Sequence, residues 1–116
     1  PQGWRRHADQ DVSVVEAYIA THHAQPLLLE DLAKHMHSSV RTLQRRFLAA
    51  TGMTPIQYQQ AVRIERSKDL LESSNDPVAQ VAEQVGYQDR VAFGRIFKKV
   101  TGLTPAAYRQ RGSRIS

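Results

Sequence analysis

Two clusters of cationic side chains are the part of this 116-residue sequence whose residue types and spacing could do chemistry. Residues 40–50 contain three arginines and no acid, and residues 89–99 contain four cationic residues against Asp89 alone. The clusters consist of Arg41, Arg45 and Arg46 in the first stretch and Arg90, Arg95, Lys98 and Lys99 in the second. A basic cluster can bind an anion, but one alone is weak evidence because charged runs are commonly solvated helix faces. Two clusters at corresponding positions of a repeat are harder to attribute to chance.

Other side chains that could do chemistry lack the partners that the chemistry needs. Four of the five histidines stand in two close pairs that could be metal ligands, namely His22 with His23 and His35 with His37. His35 and His37 are expected on different sides of a helix end, and no carboxylate or cysteine completes a ligand set. Ser38 and Ser39 have no evident base and acid partners, so nucleophilic catalysis is not indicated. We therefore predict no catalytic residue, no metal and no cofactor, and the chain is not expected to be an enzyme.

The composition is that of a globular protein with a positive charge. Apolar residues make up 41% and charged residues 23%, and the formal net charge is +5. The sequence contains no cysteine, which excludes disulfides, thiolate metal sites and a cysteine nucleophile. No apolar run approaches the roughly 20 residues needed to span a bilayer. These features predict a cytoplasmic protein of one compact unit, and the absence of a Met before Pro1 suggests a fragment of a longer chain.

The sequence segments that must position the two basic clusters form a repeat. Residues 47–55 read FLAATGMTP and residues 97–105 read FKKVTGLTP, at an offset of 50 residues. Tyr58 and Tyr108 fall at the same offset. The glycine of each phrase can end a helix in the left-handed conformation, the following threonine can cap the next helix, and the proline can occupy that helix's first position. Two copies of one structural unit are therefore predicted.

Apolar residues recur at helical spacing in both copies, and no stretch alternates as a strand would. In the first copy the stripes are Val12, Val15 and Ile19, then Leu29, Leu32, Ala33 and Met36, then Leu43 and Phe47. In the second copy they are Val78, Val81, Ala82 and Val85, then Phe93 and Phe97. Asp76 is expected to cap the helix that opens the second copy, with Pro77 at its first position.

The pattern predicts an all-α fold of about seven helices, with two helix-turn-helix subdomains joined by a long linker helix. The expected boundaries are residues 1–10 for an N-terminal tail, 11–53 for the first subdomain, 54–74 for the linker helix, 75–111 for the second subdomain and 112–116 for a C-terminal tail. Two positions depart from the pattern: His37 stands where the second copy has Gly86, and Leu28 offers no capping side chain.

Two long stretches resemble the DNA-binding domain of AraC/XylS-type bacterial transcription regulators. The first reads SSVRTLQRRFLAATGMTPIQYQQAVRIERSKDLL, and the second reads PVAQVAEQVGYQDRVAFGRIFKKVTGLTPAAYR. The most specific part is GY, then F-x-R-x-F-K-K, then TG-x-TP-x-x-Y as one connected string, and the resemblance covers about residues 12–110. It implies sequence-specific binding of double-stranded DNA by paired helix-turn-helix units in successive major grooves, in the regulation of transcription.

The resemblance also implies partners. Members of this family usually carry the domain at the C-terminal end of a longer protein whose N-terminal domain senses a ligand, and both amidotransferase-like and cupin sensors stay open. RNA polymerase is a further expected partner, and association with the nucleoid is expected. The chain alone is expected to be a monomer, because oligomerisation usually resides in the sensor part.

The resemblance assigns the DNA-contacting residues position by position. Base contacts are expected from Arg41, Gln44 and Arg45 in the first copy and from Arg90, Val91 and Arg95 in the second. Arg can fork to guanine and Gln to adenine, whereas Val91 offers only an apolar contact to a thymine methyl group. Phosphate contacts are expected from Ser39, Arg46, Lys98 and Lys99. Gly94 presents no side chain, so the second copy is expected to read less sequence than the first.

Two other interpretations fit the same residues. Four aromatic residues could form a stacking platform for single-stranded nucleic acid, namely Phe47, Tyr58, Phe97 and Tyr108, although their helical spacing favours a core. The basic faces could instead bind an acidic protein, which would make the chain a helical adaptor. A strong dependence of binding on the duplex sequence separates DNA reading from the adaptor.

Overall fold

Seven α-helices follow one another along residues 8–115. A computed structural model describes the backbone of residues 8–115 and the side chains of residues 8–112, and no strand occurs in this range. The helices are α1 (Gln10–Thr21), α2 (Leu29–His35), α3 (Val40–Thr51), α4 (Pro55–Ser73), α5 (Val78–Gln84), α6 (Arg90–Thr101) and α7 (Pro105–Ile115). The predicted all-α fold with seven helices is confirmed. Residues 1–7 of the predicted N-terminal tail and Ser116 lie outside the described residues.

The chain divides into two compact units, one up to residue 60 and one from residue 61. The division falls inside α4, so this helix belongs to both units. Its first turns carry Tyr58 and Gln59, which pack in the first unit, and its later turns carry Ile64 and Leu71, which are buried in the second. The segment predicted as a linker is thus part of both cores.

The first unit has a core of residues from α1, α2 and α3. Its buried side chains are Val12, Val15, Ile19, Leu32, Ala33, Met36, Leu43 and Phe47. Tyr58 of α4 sets its ring edge-on to Phe47, with 5.6 Å between ring centroids. Gln59 donates to the carbonyl of Gln25 at 2.8 Å and so fixes α4 to the segment that follows α1. The stripes read from the sequence are the faces that build this core.

The second unit repeats this packing with α5, α6 and α7. Its buried side chains are Ile64, Leu71, Val81, Ala82, Val85, Phe93 and Phe97. Tyr108 of α7 lies edge-on to Phe97 at 5.5 Å between centroids, as Tyr58 does to Phe47 in the first unit. The aromatic pair is therefore a repeated core contact. Because both phenylalanines are fully buried, they offer no stacking surface for single-stranded bases.

The turns between α2 and α3 and between α5 and α6 share one feature, a residue in the left-handed region, but residues 85–89 make the second turn one residue longer than residues 36–39 make the first. His37 adopts a φ of 52° and Gly86 a φ of 105°, so both residues lie in the left-handed region. The next amide donates to Ala33 O at 3.0 Å in the first turn and to Ala82 O at 2.9 Å in the second. His37 therefore does what the glycine does, at a conformational cost that glycine avoids.

The start of α5 differs from the prediction. Pro77, with ψ of 148°, is the residue before the helix, and Val78 is its first residue. The expectation that Asp76 caps α5 is wrong, because the extended ψ of Pro77 keeps the chain out of the helix for one more residue. No side chain caps α5, and Leu28 likewise leaves α2 without a side-chain cap, as predicted.

The two outer helices extend further than the sequence suggested. Asp9 caps α1 by accepting from Val12 N at 3.1 Å, so the helix begins at Gln10 and not after Asp11. At the other end α7 continues through Ile115, into the range predicted as a C-terminal tail. Neither helix reaches the length and apolarity of a membrane span, and no other helix in the described part of the chain does so.

Candidate nucleic-acid interface

Helix α3 turns one face inward and leaves the opposite face to solvent. Leu43 and Phe47 are fully buried, which fixes the rotation of the helix about its axis. Ser39 caps its N-terminus, because its Oγ accepts from Thr42 N at 3.1 Å and donates to Thr42 Oγ1 at 3.1 Å. Gly52, with a φ of 78°, ends the helix. The helix therefore holds its outward side chains at defined positions.

Arg41, Gln44 and Arg45, the three predicted base-contacting residues of the first copy, share this outward face. All three are exposed. Within the described residues, no hydrogen bond or ion pair engages them. Two guanidinium groups and one carboxamide are thus available on one helix face, and these groups match the major-groove edges of guanine and adenine.

Arg46 lies on the flank of α3 that faces α1. Its Nε donates to Asp9 Oδ2 at 2.9 Å, and its Nη2 donates to Asp9 Oδ1 at 2.6 Å and to Asp11 Oδ2 at 3.2 Å. The hydrogen bonds that Arg46 donates to Asp9 raise the pKa of Arg46 above its ordinary value. The two carboxylates neutralise this guanidinium, so its predicted phosphate contact has an intramolecular competitor.

Sequence reasoning missed the ion pair between Arg46 and Asp9. The two residues stand 37 positions apart, and no local pattern relates positions at that separation. The sequence does show that Arg46 occupies a different side of α3 from Arg45, since consecutive helical residues are about 100° apart. That separation was the signal that could have distinguished them.

Helix α6 presents the second face. Phe93 and Phe97 are fully buried, and Asp89 caps the helix by accepting from Val91 N at 2.9 Å. Six side chains of this helix are exposed, namely Arg90, Val91, Arg95, Lys98, Lys99 and Val100. They include every residue predicted to contact DNA from the second copy. Val91 is 63% exposed.

The turn that leads into α6 is fastened by Tyr87. Its ring lies 5.6 Å from that of Phe93, and the guanidinium of Arg63 in α4 lies 4.9 Å from the Tyr87 ring centroid. Burial raises the pKa of the Tyr87 hydroxyl above its ordinary value. Arg63 is thus directed into the second unit and not toward the exposed face of α6.

The repeated TG-x-TP phrase closes the C-terminal end of each exposed helix. Thr51 Oγ1 donates to Phe47 O at 2.8 Å and accepts from Met53 N at 3.0 Å. Thr101 Oγ1 makes the corresponding bonds to Phe97 O at 2.8 Å and from Leu103 N at 3.1 Å. The first threonine of the phrase therefore fixes the turn, a role that the sequence alone did not reveal.

In the described part of the chain, side chains of the types that bind metal ions do not form a cluster. Among the described residues, no group of three or more histidine, aspartate or glutamate side chains could hold a metal ion. His22 and His23 are used at the end of α1, where each places Nδ1 3.0 Å from a backbone carbonyl oxygen.

Comparison with known proteins gives the context of these two faces. The family described as a helix-turn-helix domain matches residues 32–111. The MmsAB operon regulatory protein of Pseudomonas aeruginosa is 42% identical over 91% of this chain and 34% of its own length. This chain thus spans about a third of that relative.

Two solved structures have the same fold. The C-terminal domain of AraT, a response regulator from Geobacillus stearothermophilus, gives a TM-score of 0.85 at 31% identity, covering 91% of this chain and 88% of that one. The DNA-binding domain of AdpA, a global transcriptional factor solved in complex with a target DNA, gives 0.81 at 33% identity, covering 89% and 93%.

Proposed function

The chain belongs to the AraC/XylS family of helix-turn-helix DNA-binding domains, and from that premise we propose that one monomer reads two unlike blocks of duplex DNA in successive major grooves. The observation that carries the proposal is the pair of exposed faces on α3 and α6. Each is anchored by two fully buried side chains and presents basic residues outward. A recognition helix in the major groove needs this combination of fixed orientation and free donors.

The first face reads the greater share of the sequence. Arg41 and Arg45 fork to the O6 and N7 atoms of guanine, and Gln44 pairs with the N6 and N7 atoms of adenine. In the second face Arg90 and Arg95 read guanine, and Val91 contacts a thymine methyl group. Val91 is 63% exposed, so its side chain is accessible for such a contact, and covering it would remove apolar surface from water.

Phosphate contacts come from the residues beside these faces. Lys98 and Lys99 are exposed at the end of α6, and Ser39 is exposed at the start of α3. These contacts position the protein without specifying bases. Arg46 contributes less than the lysines, because Asp9 and Asp11 already satisfy its guanidinium.

In the longer protein the domain directs the regulation of transcription. Its relatives extend well beyond the length of this chain, and we infer an N-terminal sensor domain and a contact with RNA polymerase on that basis and from family membership. The chain alone is monomeric, acts in the cytoplasm on the nucleoid, and performs no catalysis.

Footprinting tests the proposal. Duplexes bound by this chain are selected from a random library, and the selected site is then footprinted at sub-saturating protein. We expect two protected blocks of unlike sequence, without a palindrome. The two blocks should lie one turn of the duplex apart, about 34 Å. Arg90→Ala combined with Arg95→Ala should abolish the second block, and Lys99→Ala serves as the matched control that weakens both blocks alike.

Two outcomes would contradict the proposal. A palindromic footprint that needs two monomers would show that the two units do not read DNA together. Selection that returns no preferred sequence would leave only charge-based binding, as expected for an adaptor of acidic proteins.

A further inference from the structure

Gly94 occupies an interior position of α6 where the fold itself gives no reason for glycine. Glycine is the least favourable helix residue after proline, because it loses the most backbone freedom on ordering. Its φ lies outside the left-handed region, and a Cβ built at this position would meet no atom within 4 Å. An alanine would therefore fit the folded chain and stabilise the helix. The described residues therefore give no structural reason for a glycine at this position.

The missing side chain belongs to the proposed DNA-reading face. Gly94 falls 50 positions after Gln44, a predicted base-contacting residue on α3. Val91 and Lys98 stand three positions before it and four positions after it, and both are exposed. Residues at these separations are neighbours on a helix surface. One position among the side chains that would enter the major groove therefore has no side chain.

We propose, on the basis of the proposed function, that Gly94 is a positioning residue that lets the backbone of α6 approach duplex DNA closely. Absence of a Cβ permits a backbone to approach a ligand nearer than any other residue allows. The closer approach brings Arg90, Val91 and Arg95 within reach of base edges, and the short apolar side chain of Val91 needs it most. At the corresponding position, α3 contacts the bases with the longer side chain of Gln44, so the backbone of α3 stands further from the bases.

A second helix glycine provides a matched control. Gly112 lies in α7, and a Cβ there would sit 3.8 Å from Glu72 Cγ, which is an ordinary van der Waals contact. Gly112 is on no predicted DNA-contacting face. Gly112→Ala therefore makes the same chemical change in a helix without altering the proposed approach to DNA.

The test compares thermal stability with affinity for the selected duplex in four proteins: wild type, Gly94→Ala, Gly94→Leu and Gly112→Ala. Alanine and leucine are both good helix formers, so each Gly94 variant should show a Tm at or above that of the wild type. We expect Gly94→Ala to lose about tenfold in affinity, the scale of forcing one extra methyl group into a packed contact, and Gly94→Leu to lose more. Gly112→Ala should gain stability and keep wild-type affinity.

The inference is supported if the Gly94 variants keep or gain stability but lose affinity, whereas Gly112→Ala gains stability without losing affinity. Wild-type affinity of Gly94→Ala would overturn it while leaving the proposed function intact. Equal losses for alanine and leucine, or a similar loss for Gly112→Ala, would also overturn it, because helix rigidity and not space would then be responsible. A wild type that does not prefer the selected duplex over random duplexes would refute the proposed function, and this inference with it.

Discussion

At the scale of single residues, adjacent positions of α3 have opposite assignments. Arg45 is exposed and has no partner among the described residues, whereas its neighbour Arg46 is held by Asp9 and Asp11. The helical rotation of about 100° per residue separates them. One guanidinium is therefore available for DNA, and the other joins two helices of the first unit.

Replacing Arg45 with alanine should weaken binding to the selected duplex by about 1–3 kcal/mol and relax the preference at one base pair. The reason is the loss of a two-donor contact to one guanine. Lys99→Ala is the control, because loss of a phosphate contact weakens all duplexes alike. Titrations against a panel of single-substituted duplexes measure both effects. Equal weakening of specific and random DNA by Arg45→Ala would remove it from the base-reading set.

Arg46→Ala should lower the Tm of the chain by a few degrees, whereas Arg45→Ala should leave it unchanged. The ion pair that Arg46 makes is partly buried, with side-chain exposures of 31% for Arg46 and 19% for Asp9. Asp9→Asn isolates the charge, since asparagine caps a helix as well as aspartate does. In the double variant, we expect Arg46→Ala to cause a smaller further loss, because only its contact with the exposed Asp11 remains to be lost. Additive losses would show that the two residues act independently.

At the scale of elements, local patterns predicted the helices because each needs only residues within a few positions. The stripes ending in Leu43 with Phe47, and in Phe93 with Phe97, fixed which face is buried, and the glycines fixed where the helices end. The contacts that fasten helices to one another were not predictable in this way. Arg109 of α7 donates to Leu71 O in α4 at 3.1 Å and to Asp76 O, between α4 and α5, at 2.6 Å. No sequence period relates residues at these separations.

The same limit applies to the candidate interface. The sequence predicted the exposed residues of α3 and α6, because these are the positions that do not belong to the buried apolar stripes. It could not show that one predicted phosphate contact, Arg46, is occupied, since this depends on where α1 packs. The base and phosphate assignments stay predictions until the DNA experiments are done.

The helix starts after the repeated phrase should differ in stability. Thr54 and Gln57 cap each other, with Thr54 N donating to Gln57 Oε1 at 3.0 Å and Gln57 N donating to Thr54 Oγ1 at 3.1 Å. Thr104 caps α7 alone, because the corresponding position is Ala107. Ala107→Gln should therefore stabilise the chain by about 0.5–1 kcal/mol, and Gln57→Ala should destabilise it by a similar amount. Urea unfolding measures both, and a destabilising Ala107→Gln would contradict the expected reciprocal cap.

The packing of α7 on α4 should depend on alkaline pH. The Tyr108 hydroxyl donates to Glu72 Oε2, and this hydrogen bond raises the pKa of Tyr108 to about 12. A pKa raised by folding gives a stability that is complete below about 10, the value for an unfolded tyrosine, and declines as the pH rises toward 12. Tyr108→Phe should flatten the decline of unfolding free energy across this interval. An unchanged slope in this variant would assign the decline to another group, with the partly buried Tyr87 as the next residue to replace.

At the scale of the whole molecule, the duplication combines recurring scaffold contacts with unlike exposed helix faces. The aromatic pair, the left-handed turn and the threonine-fixed turn recur in both units, whereas the exposed residues of α3 and α6 differ at nearly every corresponding position. Packing constrains the first set of residues, and under the proposed function the DNA partner constrains the second. We therefore expect one chain to read an asymmetric site.

Binding should also fall steeply with salt, and the steepness should identify the residues that contact phosphate. Each neutralised phosphate contributes about −0.9 to the slope of log K against log salt concentration for duplex DNA. Lys98→Ala and Lys99→Ala should each reduce the steepness by about one such contribution, since both lysines are exposed. Arg46→Ala removes the same formal charge, but its guanidinium is already neutralised by Asp9 and Asp11, so we expect little change in slope. Titrations of one duplex between low and physiological salt compare the three variants at equal net charge. If Arg46→Ala reduced the slope as much as the lysine variants do, Arg46 would have to leave Asp9 and bind phosphate in the complex, and the ion pair would be a contact of the free protein only.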